Sequence, residues 1–214
     1  MTKIAQKNDG LRRLAELDLT RERLTEVFAR ADSESRHTTP LDPPTAEGLT
    51  RYITIVRFLR EDLLQDGWTF DNPSNVCRTI HPSKTFSIVP TAGDELTGIW
   101  VPGTGPSTRN PKGVAAVRAV KNNAQLALFG PDLTASADEA GPSTTWYLLH
   151  RFTDEQIFVE LSLPDQISDD GHILNWRERI IIQPFDRQPG PSMAASHDHD
   201  SIDEKYQVDV NIRE

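Results

Sequence analysis

The chain has 214 residues, 36% of them hydrophobic and 26% charged, with a formal charge of -9. That length supports one sizeable core, and the composition is that of a globular protein rather than a disordered one. The acidic balance argues against a general nucleic-acid coat, and the single cysteine, Cys77, excludes an intramolecular disulfide and a cysteine-based zinc site.

The N-terminus, MTKIAQKNDGLRRLAELDL, is charged throughout and lacks the apolar run of a signal peptide. No window approaches a membrane span, so the expectation is a soluble, cytoplasmic protein with no membrane partner. Residues 1–31 read as a helical N-terminal appendage, with Leu11, Leu14 and Leu17 three apart and a second start at Thr20 placing Leu24, Val27 and Phe28 on one face. Residues 32–48, with three prolines among Ser, Thr and Asp, read as a linker.

A single domain is expected over 49–214. Its strongest helix carries Leu49, Tyr52, Ile53, Val56, Leu59 and Leu63 on one stripe and is closed by Gly67. Strands are expected at Trp68–Phe70, Phe86–Val89 and Leu96–Val101, followed by the Gly/Pro-rich loop PGTGPSTRNPKG and helical spacing from Val114. Residues 130–144 and 186–202 read as flexible loops. The last third reads as strands in TTWYLLHRF, EQIFVELSLP, HILNWRERIIIQPF and KYQVDVNIR, the second with Ile157, Val159, Leu161 and Leu163 alternating against Phe158, Glu160 and Ser162. Short connections between strands suggest an α+β fold, an antiparallel sheet with helices packed on one face.

No catalytic signature emerges, and no cofactor or metal site is assigned. The tetrad His197–Asp200 (HDHD) holds two imidazoles and two carboxylates but sits in a Pro/Ser/Asp segment, where a solvated loop is the expected reading. Glu160 and Glu178 stand on neighbouring expected strands, and a metal-dependent nuclease or hydrolase built on such sheet carboxylates is one alternative function. The strand around Glu160 lacks a Glu-x-Lys arrangement, and outward charges on a strand are usually its wet face. Cys77 beside Arg78, with His81 nearby, suggests a thiolate pair, but nothing else supports cysteine catalysis. Arg109 and Lys112 lie just before the helix beginning near Val114, where free backbone N–H groups attract anions, so they are candidate anion-binding residues; no P-loop frame is present.

One short motif stands out in KNNAQLALFGPD. Gln125-Leu126-Ala127-Leu128-Phe129 resembles the peptide by which bacterial replication and repair proteins dock on the DNA sliding clamp, commonly Gln-Leu, a small or acidic residue, then Leu-Phe. The resemblance covers five residues and implies a partner, not a fold. It implies that Gln125 hydrogen-bonds in a polar subsite, that Leu128 and Phe129 fill an apolar pocket, and that Leu126 adds contact. The function it implies is an accessory or interaction protein of bacterial DNA metabolism (replication, repair or mobile-element maintenance), associated with DNA indirectly through the clamp. Two local readings stay open: Val117, Val120, Ala124 and Leu128 fall near helical spacing, whereas Asn122-Asn123 and Gly130-Pro131 favour an extended, displayed peptide. Burying two leucines and a phenylalanine contributes roughly 1.5–3 kcal/mol each. Ordering five residues costs about 1–2 kcal/mol apiece, which leaves a weak tether. A further alternative is an interaction module with no DNA role, using its N-terminal helices as the partner surface.

Overall fold

A computed structural model of the chain describes residues 2–129 and 144–188. Its elements in chain order are β1 (Lys3–Gln6), α1 (Lys7–Ala15), α2 (Arg21–Ser35), α3 (Ala46–Leu63), β2 (Thr69–Asp71), β3 (Arg78–Ile80), β4 (Phe86–Ala92), α4 (Val114–Phe129), β5 (Thr144–Phe152), β6 (Gln156–Ile167) and β7 (Ile173–Asp186). The strands form one seven-stranded sheet in the order β1-β7-β6-β5-β4-β3-β2. An α+β class describes this arrangement.

The meander β5-β6-β7 is antiparallel, as its short connections require, but β4 pairs parallel with β5 and β1 parallel with β7. The sheet is therefore mixed, not antiparallel. A parallel neighbour needs a crossover connection, and the one from β4 to β5 contains α4. Strand direction follows from where a connection travels, which alternation along a strand does not encode.

Helices also cover both faces rather than one. Leu14 of α1, Leu24 and Phe28 of α2 and Ile55 and Leu59 of α3 share a buried cluster with Ile88, Trp146, Leu148, Leu161 and Ile180. On the opposite face Val120 of α4 packs with Val89, Tyr147, Leu149, Ile173 and Trp176. Both faces of β5 are therefore buried, and its run of apolar residues is the consequence.

The N-terminal segment is no appendage in its packing, since Leu14, Leu17, Leu24 and Phe28 belong to the main core and β1 adds an edge strand beside β7. Thr20 caps α2 by accepting the Arg23 N–H at 3.2 Å. At its far end Asp32, nearly fully buried, gathers the guanidiniums of Arg36, Arg51 and Arg187, tying α2 to α3 and to the residues after β7.

α3 meets the core with only part of its expected apolar stripe. Val56, Leu59 and Leu63 of that stripe are buried together with Ile55 and Phe58, whereas Leu49, Tyr52 and Ile53 remain exposed. Two overlapping stripes at helical spacing exist in this segment, and contact with the sheet selects between them. Residues 96–101 form turns, closed by Thr97 N–H to Asp94 and Ile99 N–H to Leu96, and not the expected strand. Residues 205–213, the tetrad at 197–200 and the loops expected at 130–144 and 186–202 lie outside the described residues, apart from Thr144 and 186–188.

The centre of the sheet holds a buried ion pair. Arg179 donates to both oxygens of Glu160, at 2.7 and 3.0 Å, and both side chains are essentially inaccessible. Glu160 also accepts from the Ser162 hydroxyl at 2.7 Å and the Gly98 N–H at 2.9 Å, while Arg179 reaches the Ile99 carbonyl at 3.0 Å. Gly98 has φ +73, and a Cβ there would sit 3.0 Å from Phe158 Cβ, so only glycine fits. Each charge is thus hydrogen-bonded on several sides, and removing one strands the other in a low-dielectric interior. Glu160→Gln or Arg179→Met is expected to cost about 3–5 kcal/mol in urea unfolding, and the double variant Glu160→Leu/Arg179→Met less than either alone.

Candidate functional site

The segment from Gly93 to Gly113 connects β4 to α4 and is pinned at several points. Asp94 accepts from the N–H groups of Leu96 (3.0 Å) and Ser107 (2.8 Å), and Trp176 donates its indole N–H to the Pro106 carbonyl at 2.7 Å. Thr108 exchanges hydrogen bonds with Ile173, and its carbonyl meets His172 Nδ1 at 2.7 Å. The Arg109 N–H then donates to the Ala92 carbonyl, and the Lys112 N–H to the Gly171 carbonyl. Gly171 has φ +86, and a Cβ on it would lie 3.0 Å from the Lys112 carbonyl oxygen. Arg109 and Lys112 are therefore held by their backbones against the carboxyl end of β4 and the β6–β7 turn.

Beside them opens a cleft of about 840 Å³. One wall comes from the start of α3, with Leu49 and Tyr52; another from Ser74 to Cys77; the floor from Val89–Ala92 of β4 with Tyr147 and His150 of β5; and the remaining side from Arg109–Gly113 and the first turns of α4. The edge of β4 is open here because β3 pairs only with Ser87 and Ile88, and cover resumes at the Gly93–Thr108 bridge. The exposed part of the α3 stripe thus faces a cavity.

The cleft is cationic. Arg109, Lys112 and Arg118 line it, and among the described residues no Asp or Glu does. Negative charge elsewhere on a chain of net charge -9 leaves this concavity as a local attractor for anions. The first turn of α4 adds N–H groups without intrahelical partners.

Two buried polar atoms among its lining residues, the Tyr147 hydroxyl and His150 Nδ1, lack a well-formed hydrogen bond, and alternation along β5 sets them on opposite faces of the sheet: Tyr147 with Leu149 toward α4, His150 against Phe28 and Phe152 toward α1–α3. Burial of such groups unmet costs about 1–3 kcal/mol each. Burial raises the Tyr147 pKa, so it stays a phenol. His150 lies against the rings of Phe28 and Phe152, and burial lowers its pKa to about 4; Arg51 and Lys112 push the same way, and the Leu148 main chain only partly opposes them. It is neutral at pH 7. Burial also lowers the Lys112 pKa to about 8. For Tyr52, burial and then its pairing with the Cys77 thiol raise the pKa to about 12.

The structure brings Arg109 and Lys112 together with Cys77, and adds Tyr52, read in the sequence only as part of a helical stripe, and Arg118, Tyr147 and His150, which had no role there. The prior signal for the last two was a Tyr and a His inside an apolar strand run. The candidate thiolate group separates instead: Arg78 pairs with Asp71, while His81 stacks on Phe86 and bonds Asp18 and Ser83.

Glu160 and Glu178 do not meet. Leu161, Ile180 and Ile182 all face the α1–α3 cluster, so Glu178 shares that side and Glu160 points to the other. Glu178 is held by Arg13 at 2.7 Å and Lys3 at 3.0 Å; burial opposes its charge, but these hydrogen bonds keep its pKa below the ordinary value. The two carboxylates cannot share a metal ion, and among the described residues no three His, Cys, Asp or Glu groups converge as one would require.

Gln125, Leu126, Leu128 and Phe129 lie in the last turns of α4, so their backbone is helical rather than extended; their side chains lie outside the described residues. The Asn pair before them does not end the helix. Asn123 is buried, donating to the Thr145 carbonyl and accepting from the Thr145 N–H, both at 2.9 Å, which bolts α4 to the start of β5. No described helix is long and apolar enough to cross a membrane. No protein-family model, curated protein or solved structure matches the chain.

The neutral, buried imidazole makes a pH prediction. His150 has a folded pKa of about 4, below its unfolded value of 6.5, so its share of stability is full above pH 6.5 and is lost as pH falls toward 4. That loss is on the order of 3 kcal/mol. His150→Phe is expected to flatten the fall in unfolding free energy between pH 6.5 and 4 relative to wild type; parallel curves would show that the imidazole does not resist protonation.

Proposed function

We propose that this protein binds a small anionic molecule in the cleft between α3, the open edge of β4 and the start of α4. The observation that carries this reading is that Arg109, Lys112 and Arg118 line one concavity beside the start of α4, with no acidic residue among its described lining. A cleft of about 840 Å³ falls in the usual range for ligand sites, roughly 300–1,000 Å³. A ligand there would neutralise Arg109 and Lys112.

Sulfate is the cleanest first probe, because its charge is constant above mildly acidic pH. Titration calorimetry at pH 7 is expected to show one site, weakened at least tenfold in Arg109→Ala and in Lys112→Ala, which is about 1.4 kcal/mol. A bound anion raises the Lys112 pKa above its free value of about 8, so affinity is highest below pH 8 and falls as pH climbs toward 10. Lys112→Arg is expected to remove that dependence. Unchanged binding in both alanine variants would rule this cleft out as the site.

A second reading keeps the clamp-binding pentapeptide, which would make the protein an accessory factor of bacterial DNA metabolism. Its support is the complete match at residues 125–129. The final turn of a helix also lacks partners for its last carbonyls and opens more readily than the middle. The expected result is weak binding to a purified bacterial clamp that is lost in Leu128→Ala/Phe129→Ala; equal binding by the variant would sink the reading.

A further inference from the structure

Lys112 stands apart from the other described lysines. Lys3, Lys7, Lys84 and Lys121 are exposed, and Lys3 pairs with Glu178. Lys112 is half-buried and is the one lysine among the described residues lining the cleft. Within those residues its Nζ has no hydrogen-bond or ion-pair partner. Its main chain is fixed by the N–H bond to the Gly171 carbonyl at 2.7 Å. Arg109 and Arg118 share the lining with it, no described carboxylate does, and like charges disfavour an ammonium ion. Burial lowers the Lys112 pKa to about 8, so near that pH about half of it is free amine, against roughly one part in 250 for an ordinary lysine. A cation that only holds an anion works best permanently charged, as the two arginines are. A lysine that gives up its proton beside other cations presents a nitrogen lone pair instead, the condition for a nucleophilic amine.

Resting on the anion-binding reading, we infer that Lys112 condenses with a small carboxylate bearing an aldehyde or ketone carbon, of the class of a 2-oxo acid. Arg109 and Arg118 hold the carboxylate, which the guanidinium fork matches. The Nζ lone pair attacks the carbonyl carbon and forms the C–N bond, and the C=O π pair moves to oxygen. That oxygen takes one proton from Nζ and one from solvent and leaves as water, and a protonated imine remains. The imine carries the same positive charge as the ammonium ion it replaces, so the carboxylate keeps its cationic surroundings. A cleft of about 840 Å³ accommodates a ligand of this size.

Reductive trapping on the full chain at pH 8 tests this, with pyruvate, glyoxylate and acetaldehyde as probes. Sodium cyanoborohydride delivers hydride to the imine carbon and leaves a stable secondary amine, which peptide mass mapping locates. The expected result is that pyruvate or glyoxylate labels Lys112 roughly tenfold or more faster than any other lysine, and that excess sulfate slows this labelling. Acetaldehyde, which has the carbonyl without the carboxylate, is expected to show a several-fold smaller preference. Arg109→Ala, checked for wild-type folding by near-UV circular dichroism, is expected to reduce the preference of the oxo acids to that of acetaldehyde. If sulfate binds in calorimetry but neither oxo acid favours Lys112 over the exposed lysines, the imine is overturned while anion binding stands. Equal preference by acetaldehyde removes the role of the carboxylate and overturns the inference as well. If sulfate does not bind and Lys112 is not favoured, both readings fall. The three probes are compared on the wild-type protein, so misfolding of Arg109→Ala would not rescue the idea.

Discussion

The parallel pairing of β4 with β5 is the constraint from which the rest of the architecture follows. A strand laid parallel to its predecessor cannot be reached by a hairpin, so the chain must leave the carboxyl end of β4, cross a face of the sheet and return to the start of β5. That crossover carries α4 onto the face opposite α1–α3 and makes the sheet the middle of three layers. It also brings the amino end of α4, with Arg109 and Lys112 before it, to the carboxyl end of β4. Crevices at such strand ends are where open α/β sheets take their ligands, and here the gap left by the short β3 widens one into a cleft.

Polar groups in the interior hold this geometry. Glu160 and Arg179 fasten β6 to β7 and also catch the backbone of Gly98 and Ile99, so the first part of the crossover is tied to the sheet. Asn123 does the same for the other end of α4 by replacing a strand neighbour for Thr145 with a side-chain amide. Among the described residues, Glu160, Arg179 and Asn123 leave no buried side-chain nitrogen or oxygen without a partner, which is the condition for a buried polar group to add specificity rather than only cost. The Tyr147 hydroxyl and His150 Nδ1 depart from that pattern, and both residues border the cleft lined by Arg109, Lys112 and Arg118.

Much of the element content was readable before the fold. The alternation through Ile157–Leu163, the Thr20 start of α2 and the helical spacing from Val114 all correspond to elements in the structure. The pairing of Arg109 and Lys112 with a helix start was readable as well. What failed did so for a common reason. The stripe on α3 was ambiguous because two sets of apolar residues share the helical period, and only the sheet beneath decided which set was covered. Asn122-Asn123 read as a helix end because asparagine competes with the backbone locally, yet Asn123 spends both amide groups on Thr145. Glu160 and Glu178 looked like neighbours on adjacent strands, but register and the pleat set them on opposite faces.

The sequence by itself determined much of where the chain is helical and where it is extended, because period and turn chemistry are local properties; it read a helix over Lys3–Gln6 and a strand at Leu96–Val101, where the structure has β1 and turns. It also determined that the molecule is acidic while its Gly/Pro-rich loop is basic. Only the tertiary structure decided the direction of β4 against β5, the division of helices between two faces, and the joining of Tyr52, Tyr147 and His150 to Arg109 and Lys112. Those features depend on contacts between residues far apart in the chain. Their free energy lies in burial and pairing, and no short window of sequence contains both partners.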